Sequence, residues 1–219
     1  MTNESEDPFS GGSFPPEEPD PEDEPDLADE GDFRNRFVTI TLLFEACLAL
    51  LGLAFGTWSG VAWKPLIVLN PDAIFVGLAG GVGLFLTHLL LLYPGGESNP
   101  LYRYIFKPFK ESLLSRIPSL DVEDIIFISV LSGLGEEILF RGWLQMEFGI
   151  VLASVLFGLI HIWGKEGIGY GIYAIGMGFV LGYLFQYTGY NLWAPVTAHA
   201  VNNFLGLLAI EMKFTPGED

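Results

Sequence analysis

Long apolar segments are the feature that most limits what this chain can fold into. A helix needs about 20 mostly apolar residues to cross the core of a bilayer. From residue 37 onward the sequence has six segments that meet or approach this length, namely 37–58, 73–93, 125–143, 148–163, 169–187 and 192–212. Soluble helices carry polar stripes at a 3.6-residue period, whereas these segments are apolar nearly all round. The sequence therefore predicts an all-α, polytopic transmembrane helical bundle of about six spans.

The first 32 residues differ from the rest of the chain in charge and in apolar content. They hold 13 acidic residues and no lysine or arginine, whereas residues 33–219 carry 14 acidic and 10 basic residues. Dense like charge with few apolar side chains cannot bury enough surface to offset chain entropy. We predict a disordered acidic tail at 1–32, two spans with a basic amphipathic connector at 33–120, a four-span core at 121–212 and a C-terminal tail at 213–219.

The overall charge and the cysteine content exclude several classes of protein. The formal net charge is −17 and the isoelectric point is near 4.3, without a large basic patch, which argues against nucleic-acid binding. Cys47 is the single cysteine, so neither an internal disulfide nor a cysteine-based zinc site can form. The partner that the composition indicates is the lipid bilayer.

The basic residues are distributed unevenly between the two sides of the predicted bundle. If the N-terminus is cytoplasmic and there are six spans, eight basic residues fall inside, Lys64 falls outside and Arg141 lies within a span. Cytoplasmic loops of membrane proteins carry an excess of lysine and arginine. We therefore predict that both termini face the cytoplasm.

Ionisable side chains lie inside three of the later spans, where a charge costs free energy and needs an explanation. The third span carries Glu136, Glu137 and Arg141, the fourth carries His161 and the sixth carries His199. Glu137 and Arg141 are four residues apart and share a helix face, which predicts a structural ion pair. Glu136 is rotated by about 100° from Glu137 and can face another partner.

The amides and aromatic residues of these spans extend the pattern. His199 and Asn203 share one helix face, as do Phe157 and His161, because each pair is four residues apart. We expect Asn202 to bridge helices. A packing or interface role is expected for two isolated ionisable residues of the first spans, Glu45 and His88.

Two kinds of chemistry fit a spare carboxylate, two histidines and an amide. Glu136 and a histidine can act as a general base on water, while a second histidine and an asparagine donate to a developing oxyanion. Alternatively, Glu136, His161 and His199 can bind Zn²⁺, since two histidines and a glutamate are a catalytic ligand set. Either arrangement suits peptide hydrolysis inside a membrane. The sequence has no H-E-x-x-H helix, and the predicted spans contain no aspartate for an aspartyl dyad.

Three motifs stand in order on the predicted spans: E-E-x-x-x-R at Glu136, Glu137 and Arg141, F-x-x-x-H at Phe157 and His161, and H-x-x-x-N at His199 and Asn203. Together they resemble the CAAX-protease and bacteriocin-processing (CPBP) family, also called the Abi family. The resemblance covers about residues 121–210. It implies an all-helical intramembrane endopeptidase in a prokaryotic cell membrane, with a polar cavity that opens toward the cytoplasm.

The resemblance also implies a role for each matched residue. Glu136 would activate water with the help of His161, and His199 and Asn203 would stabilise the oxyanion. Supporting positions around them are Glu137, Arg141, Phe157 and Asn202. Both metal-dependent and glutamate-dependent mechanisms are attributed to the family, so Zn²⁺ remains an open alternative at this point. The implied substrate is a peptide or a lipidated protein.

Two functions from other classes fit part of the same pattern. A small proton-coupled transporter also uses intramembrane glutamate and histidine, although this chain is short and has no internal inverted repeat. A non-catalytic membrane scaffold or immunity protein needs no hydrolytic site. Cleavage of a labelled lipidated peptide separates both alternatives from the protease.

Overall fold

The computed structural model describes residues 27–92, 98–112, 117–162 and 164–212. Its α-helices are α1 Leu27–Trp58, α2 Trp63–Ile67, α3 Pro71–Leu92, α4 Lys107–Ser112, α5 Val122–Glu137, α6 Met146–Ile160, α7 Ile168–Tyr187 and α8 Trp193–Glu211. Two π-helical segments complete the order: Tyr102–Phe106 leads into α4 in the predicted connector, and Ile138–Gln145 joins α5 to α6. The described ranges contain no β-strand, so the predicted all-α fold is confirmed.

The first helix begins before the predicted first span. α1 starts at Leu27, so residues 27–32, predicted as the end of a disordered tail, are helical. Arg34 anchors this end of α1, because its guanidinium pairs with Asp121, 2.5 Å away, and with Asp124, 3.5 Å away, at the start of α5. The rest of the predicted acidic tail and the C-terminal tail at 213–219 lie outside the described residues.

Four stretches of the described chain are long and apolar enough to cross a membrane: Gly31–Trp58, Pro71–Leu91, Val122–Ile160 and Ile168–Tyr187. Their outer faces expose large apolar side chains such as Leu50, Phe75 and Leu90, and so wide an apolar surface is suited to lipid. The membrane bundle is therefore confirmed. α8, the sixth predicted span, is not among the four because its polar residues lower its mean hydropathy.

The stretch Val122–Ile160 is not one straight helix. Gly149 adopts φ 83° and ψ 168°, a conformation outside the helical region that glycine reaches most easily. The rings of Phe140 and Phe157 lie 5.1 Å apart, whereas a straight helix would hold these residues about 25 Å apart. The chain therefore folds back at Gly149, at the junction between the predicted third and fourth spans.

Glycines determine how closely the helices approach one another. A Cβ atom added at Gly77 or Gly81 of α3 would lie 2.6 Å from a backbone carbonyl oxygen of α8. Gly178 and Gly182 of α7 lie in the same way against α6 and the π-helical segment before it. Both glycine pairs have the four-residue spacing that is typical of close helix packing, and both are contact points. α8 thereby lies against α3 and α5, which brings its polar residues into the interior.

Candidate active site

Glu136 and Glu137 end α5 at the point where the backbone changes from α to π geometry. The π-helical segment Ile138–Gln145 follows directly, and π turns within helices are frequent at functional sites. Arg141 lies in this segment with its Nε 3.1 Å from Glu137 Oε2, and both side chains are fully buried. The predicted Glu137–Arg141 ion pair is therefore present.

Glu137 also binds a residue from a distant helix. His199 of α8 is 3% exposed, and its Nδ1 lies 2.9 Å from Glu137 Oε1. A carboxylate oxygen paired with a guanidinium acts as an acceptor, so we assign the hydrogen to Nδ1 of His199, which donates it. Glu137 therefore joins α5, α8 and the π-helical segment in one buried cluster. This contact could not be predicted from the sequence, because no spacing rule relates positions on different helices.

Glu136 faces a different partner, as its rotation from Glu137 predicts. Its Oε2 lies 3.9 Å from Nε2 of His161, which is beyond direct hydrogen-bond distance. On the other side of the ring, His161 Nδ1 lies 2.7 Å from the carbonyl oxygen of Phe157. A carbonyl oxygen can only accept, so Nδ1 carries the hydrogen. In the neutral ring, Nε2 is then an acceptor that points toward Glu136.

Phe157 lies at the centre of these side chains. Its ring centroid is 4.9 Å from that of His161 and 5.8 Å from that of His199. The guanidinium carbon of Arg141 lies 5.0 Å from the same ring, a distance typical of a cation–π contact. The aromatic residue of the F-x-x-x-H motif is thus buried against both histidines and the arginine, and it limits how they can rotate.

Asn203 is held by Ser132, which is not among the predicted site residues. Its Nδ2 donates to Ser132 Oγ over 2.9 Å, and Ser132 Oγ donates to the carbonyl of Ser129 over 3.3 Å. Asn202, which was expected to bridge helices, donates instead to Asn203 Oδ1 over 3.5 Å. The interhelical amide contact therefore belongs to Asn203. Ser132 lies one helical turn before Glu136, and that spacing is a signal that could have identified it.

The predicted site residues are thus brought to one side of the bundle interior. Glu136 and His161 form one couple, Glu137 and His199 form the other, and His199 lies within electrostatic range of Glu136. His88 lies elsewhere, with Nδ1 3.2 Å from the hydroxyl of Tyr173, which agrees with its expected packing role.

The positions of the carboxylates and histidines can be compared with those that a zinc site requires. Glu136, His161 and His199 are the ligands of the zinc hypothesis, and the contact of His199 Nδ1 with Glu137 leaves Nε2 as the ring nitrogen that could bind a metal. Across residues 27–92, 98–112, 117–162 and 164–212, no group of three or more His, Cys, Asp or Glu side chains is arranged to hold a metal ion. The described side chains therefore do not surround a single metal position, and the mechanism below uses protein side chains alone. Zinc dependence stays a prediction for experiment.

Part of the chain is similar to known proteins. Residues 118–205 match the family described as type II CAAX prenyl endopeptidase Rce1-like. The chain is also 36% identical over 93 residues to the uncharacterized protein YpbD of Bacillus subtilis (strain 168), which covers 42% of this chain and 48% of the relative. The chain therefore spans about half the length of that curated relative. No solved structure matches this chain.

Proposed function

We propose that this protein is an intramembrane endopeptidase that cleaves a peptide or lipidated protein, as the match of residues 118–205 to the Rce1-like family suggests. The observation that carries the proposal is the arrangement of two carboxylate–histidine couples on three helices. Glu136 lies near His161, and Glu137 is hydrogen-bonded to His199. One couple is suited to activating water and the other to stabilising negative charge.

Water activation falls to the first couple. Glu136 accepts a proton from water as the water oxygen forms a bond to the scissile carbonyl carbon. His161 Nε2 lies 3.9 Å from Glu136 Oε2 and is an acceptor in the neutral ring, so it can receive that proton. The imidazolium then delivers it to the leaving nitrogen as the carbon–nitrogen bond breaks. Water is consumed, and an acid and an amine are released.

Oxyanion stabilisation falls to His199 and Asn203. Glu137 accepts the hydrogen of His199 Nδ1 and stabilises the imidazolium form, in which Nε2 also carries a hydrogen. The amide of Asn203 gives one N–H to Ser132 and has a second that can donate to the oxyanion. Donors fixed before the reaction stabilise such charge without reorganisation during it. Arg141 and Phe157 hold the histidines in place.

The test uses the purified full chain in detergent and a fluorescent peptide that ends in a prenylated cysteine motif. We expect cleavage by the wild type and at least a 10²-fold loss in Glu136→Gln, the scale of general-base effects. Glu123→Gln is the matched control, because Glu123 is exposed on the same helix. Equal rates for the wild type and Glu136→Gln would reject the protease and favour the non-catalytic scaffold.

Two further arms refine this experiment. A chelator followed by added Zn²⁺ tests whether a metal takes part, since loss and recovery of cleavage would show zinc dependence, for which Glu136, His161 and His199 are the predicted ligands. The same peptide without its lipid tests whether the prenyl group is recognised. We propose that the site opens to the cytoplasm of a prokaryotic cell, in line with the distribution of basic residues.

A further inference from the structure

Glu45 is a buried carboxylate in the part of α1 whose exposed side chains are mostly apolar. It lies on α1, outside the family match at residues 118–205. Its exposure is 6%, whereas its neighbours Leu43 and Phe44 are 62% and 55% exposed. An acidic residue in the interior of a membrane bundle is costly unless it has a function or a partner. The packing role expected from sequence does not explain why the buried residue is an acid.

The contact between α1 and α5 places Glu45 next to the candidate site. A Cβ atom added at Gly135 would lie 3.0 Å from Glu45 Oε2 and would contact the carbonyl oxygen of Glu45 more closely still. Two turns further along α1, Gly52 faces Leu139 in the same way, where a Cβ atom would lie 2.7 Å from Leu139 Cα. Gly135 directly precedes Glu136. The glycines thus bring Glu45 close to the residue that activates water.

Glu45 and Glu136 each have a buried carboxylate oxygen, Oε2, without a hydrogen-bond partner among the described residues. The two carboxylates lie within electrostatic range of each other, and Glu45 is also within range of His199. Buried polar atoms in proteins nearly always have a partner, which is often an ordered water. Water has two O–H groups and can donate to two carboxylates at once.

We propose that Glu45 is a second carboxylate of the water site and orients the attacking water together with Glu136. This inference rests on the proposed function. Glu136 accepts the hydrogen that leaves as a proton, and Glu45 accepts a hydrogen bond from the other O–H. That second hydrogen stays on the oxygen as the new carbon–oxygen bond forms. A water held at two points directs its lone pair at the carbonyl carbon, which lowers the entropic part of the barrier.

The kinetic test compares Glu45→Gln, Glu45→Leu and the control Glu123→Gln on the fluorescent prenylated peptide. Glu45→Leu removes the acceptor and should lower kcat about 10- to 100-fold with little change in KM, as expected for a positioned group in proton-transfer chemistry. Glu45→Gln keeps one acceptor oxygen and should be intermediate. Wild-type kcat per folded molecule in Glu45→Leu would overturn the proposal. A lower melting temperature with unchanged kcat would assign Glu45 to packing instead.

A second measurement does not depend on cleavage. Cys47→Ser removes the single cysteine, and Glu45→Cys or Leu43→Cys is then added to that background. The thiol introduced at position 45 should react with a small charged methanethiosulfonate, because water reaches the site. The thiol at position 43 faces lipid and should react at least 10-fold more slowly, since apolar surroundings suppress the reactive thiolate.

The two measurements separate the possible failures. An unreactive thiol at position 45 would overturn the water site even if the wild type cleaves the peptide. A reactive thiol in a protein that cleaves nothing would reject the proposed peptidase and, with it, the catalytic role of Glu45. Cleavage by the wild type, loss in Glu136→Gln and full activity in Glu45→Leu would reject this inference alone.

Discussion

Glu137 and His199 are 62 positions apart in the sequence, yet Glu137 Oε1 accepts a 2.9 Å hydrogen bond from His199 Nδ1. The other oxygen of the same carboxylate lies 3.1 Å from Arg141 Nε. Glu137 therefore contacts a candidate catalytic histidine in addition to the arginine of its structural pair. Loss of this one carboxylate should affect both the position of the histidine and the stability of the helix contact.

Glu137→Gln should reduce kcat by about 10²- to 10⁴-fold, the range of general acid–base effects. A glutamine keeps the shape of the side chain but cannot stabilise the imidazolium form of His199. The measurement is single-turnover cleavage of the lipidated peptide, normalised to folded protein. Glu147→Gln, at an exposed position further along the same chain segment, is the matched control. Wild-type kcat in Glu137→Gln would contradict the assigned role.

Arg141→Ala should strongly reduce the amount of folded protein. Its guanidinium is fully buried against Glu137 and Phe157, and removing one partner of a buried pair costs about 3–5 kcal/mol. Thermal unfolding in detergent measures the effect. Arg103→Ala, at an exposed arginine, should change stability by less than about 0.5 kcal/mol. Normal expression of Arg141→Ala with loss of turnover alone would show that the pair is not structural.

Asn203→Ala should slow cleavage by about 10²- to 10³-fold, the cost of losing one oxyanion donor. Ser132→Ala should have a smaller effect of about fivefold, because it removes one hydrogen bond of about 1 kcal/mol that positions the amide. The kcat values of both variants are compared at saturating peptide. Asn202→Ala removes only a long 3.5 Å contact with Asn203 Oδ1 and should have a smaller effect than Ser132→Ala. A larger effect from Ser132→Ala than from Asn203→Ala would reverse the assigned roles.

Both termini should be protected from reagents added outside intact cells. Eight basic residues on the predicted cytoplasmic side against Lys64 on the other side motivate this expectation. Tags at the two ends, probed by protease before and after permeabilisation, test it. A tag between α1 and α3, near Lys64, is the internal control and should be cleaved in intact cells. An N-terminal tag that is accessible from outside would reject the six-span arrangement.

Relationships within one helix could be read from the sequence because α-helical geometry is repetitive. The Glu137–Arg141 pair follows from a spacing of four residues, and Gly77 and Gly81 follow from the spacing of small residues at close helix contacts. The helical bundle follows from hydropathy, since a chain in lipid must satisfy its backbone polar groups internally. Hydropathy did not indicate that α1 begins at Leu27, because the polar residues before the apolar segment 37–58 are also helical.

Relationships between helices required the tertiary structure. Hydropathy and spacing identify which residues share a face, but the rotation of each helix and its height in the bundle depend on packing of the whole molecule. The contact of His199 with Glu137 and that of Asn203 with Ser132 are decided at this level. So is the approach of Glu45 to Gly135, where the absence of a Cβ atom lets α1 bring a third glutamate to the candidate site. The sequence alone determined a membrane bundle and a set of polar residues to explain, and packing determined which of them meet.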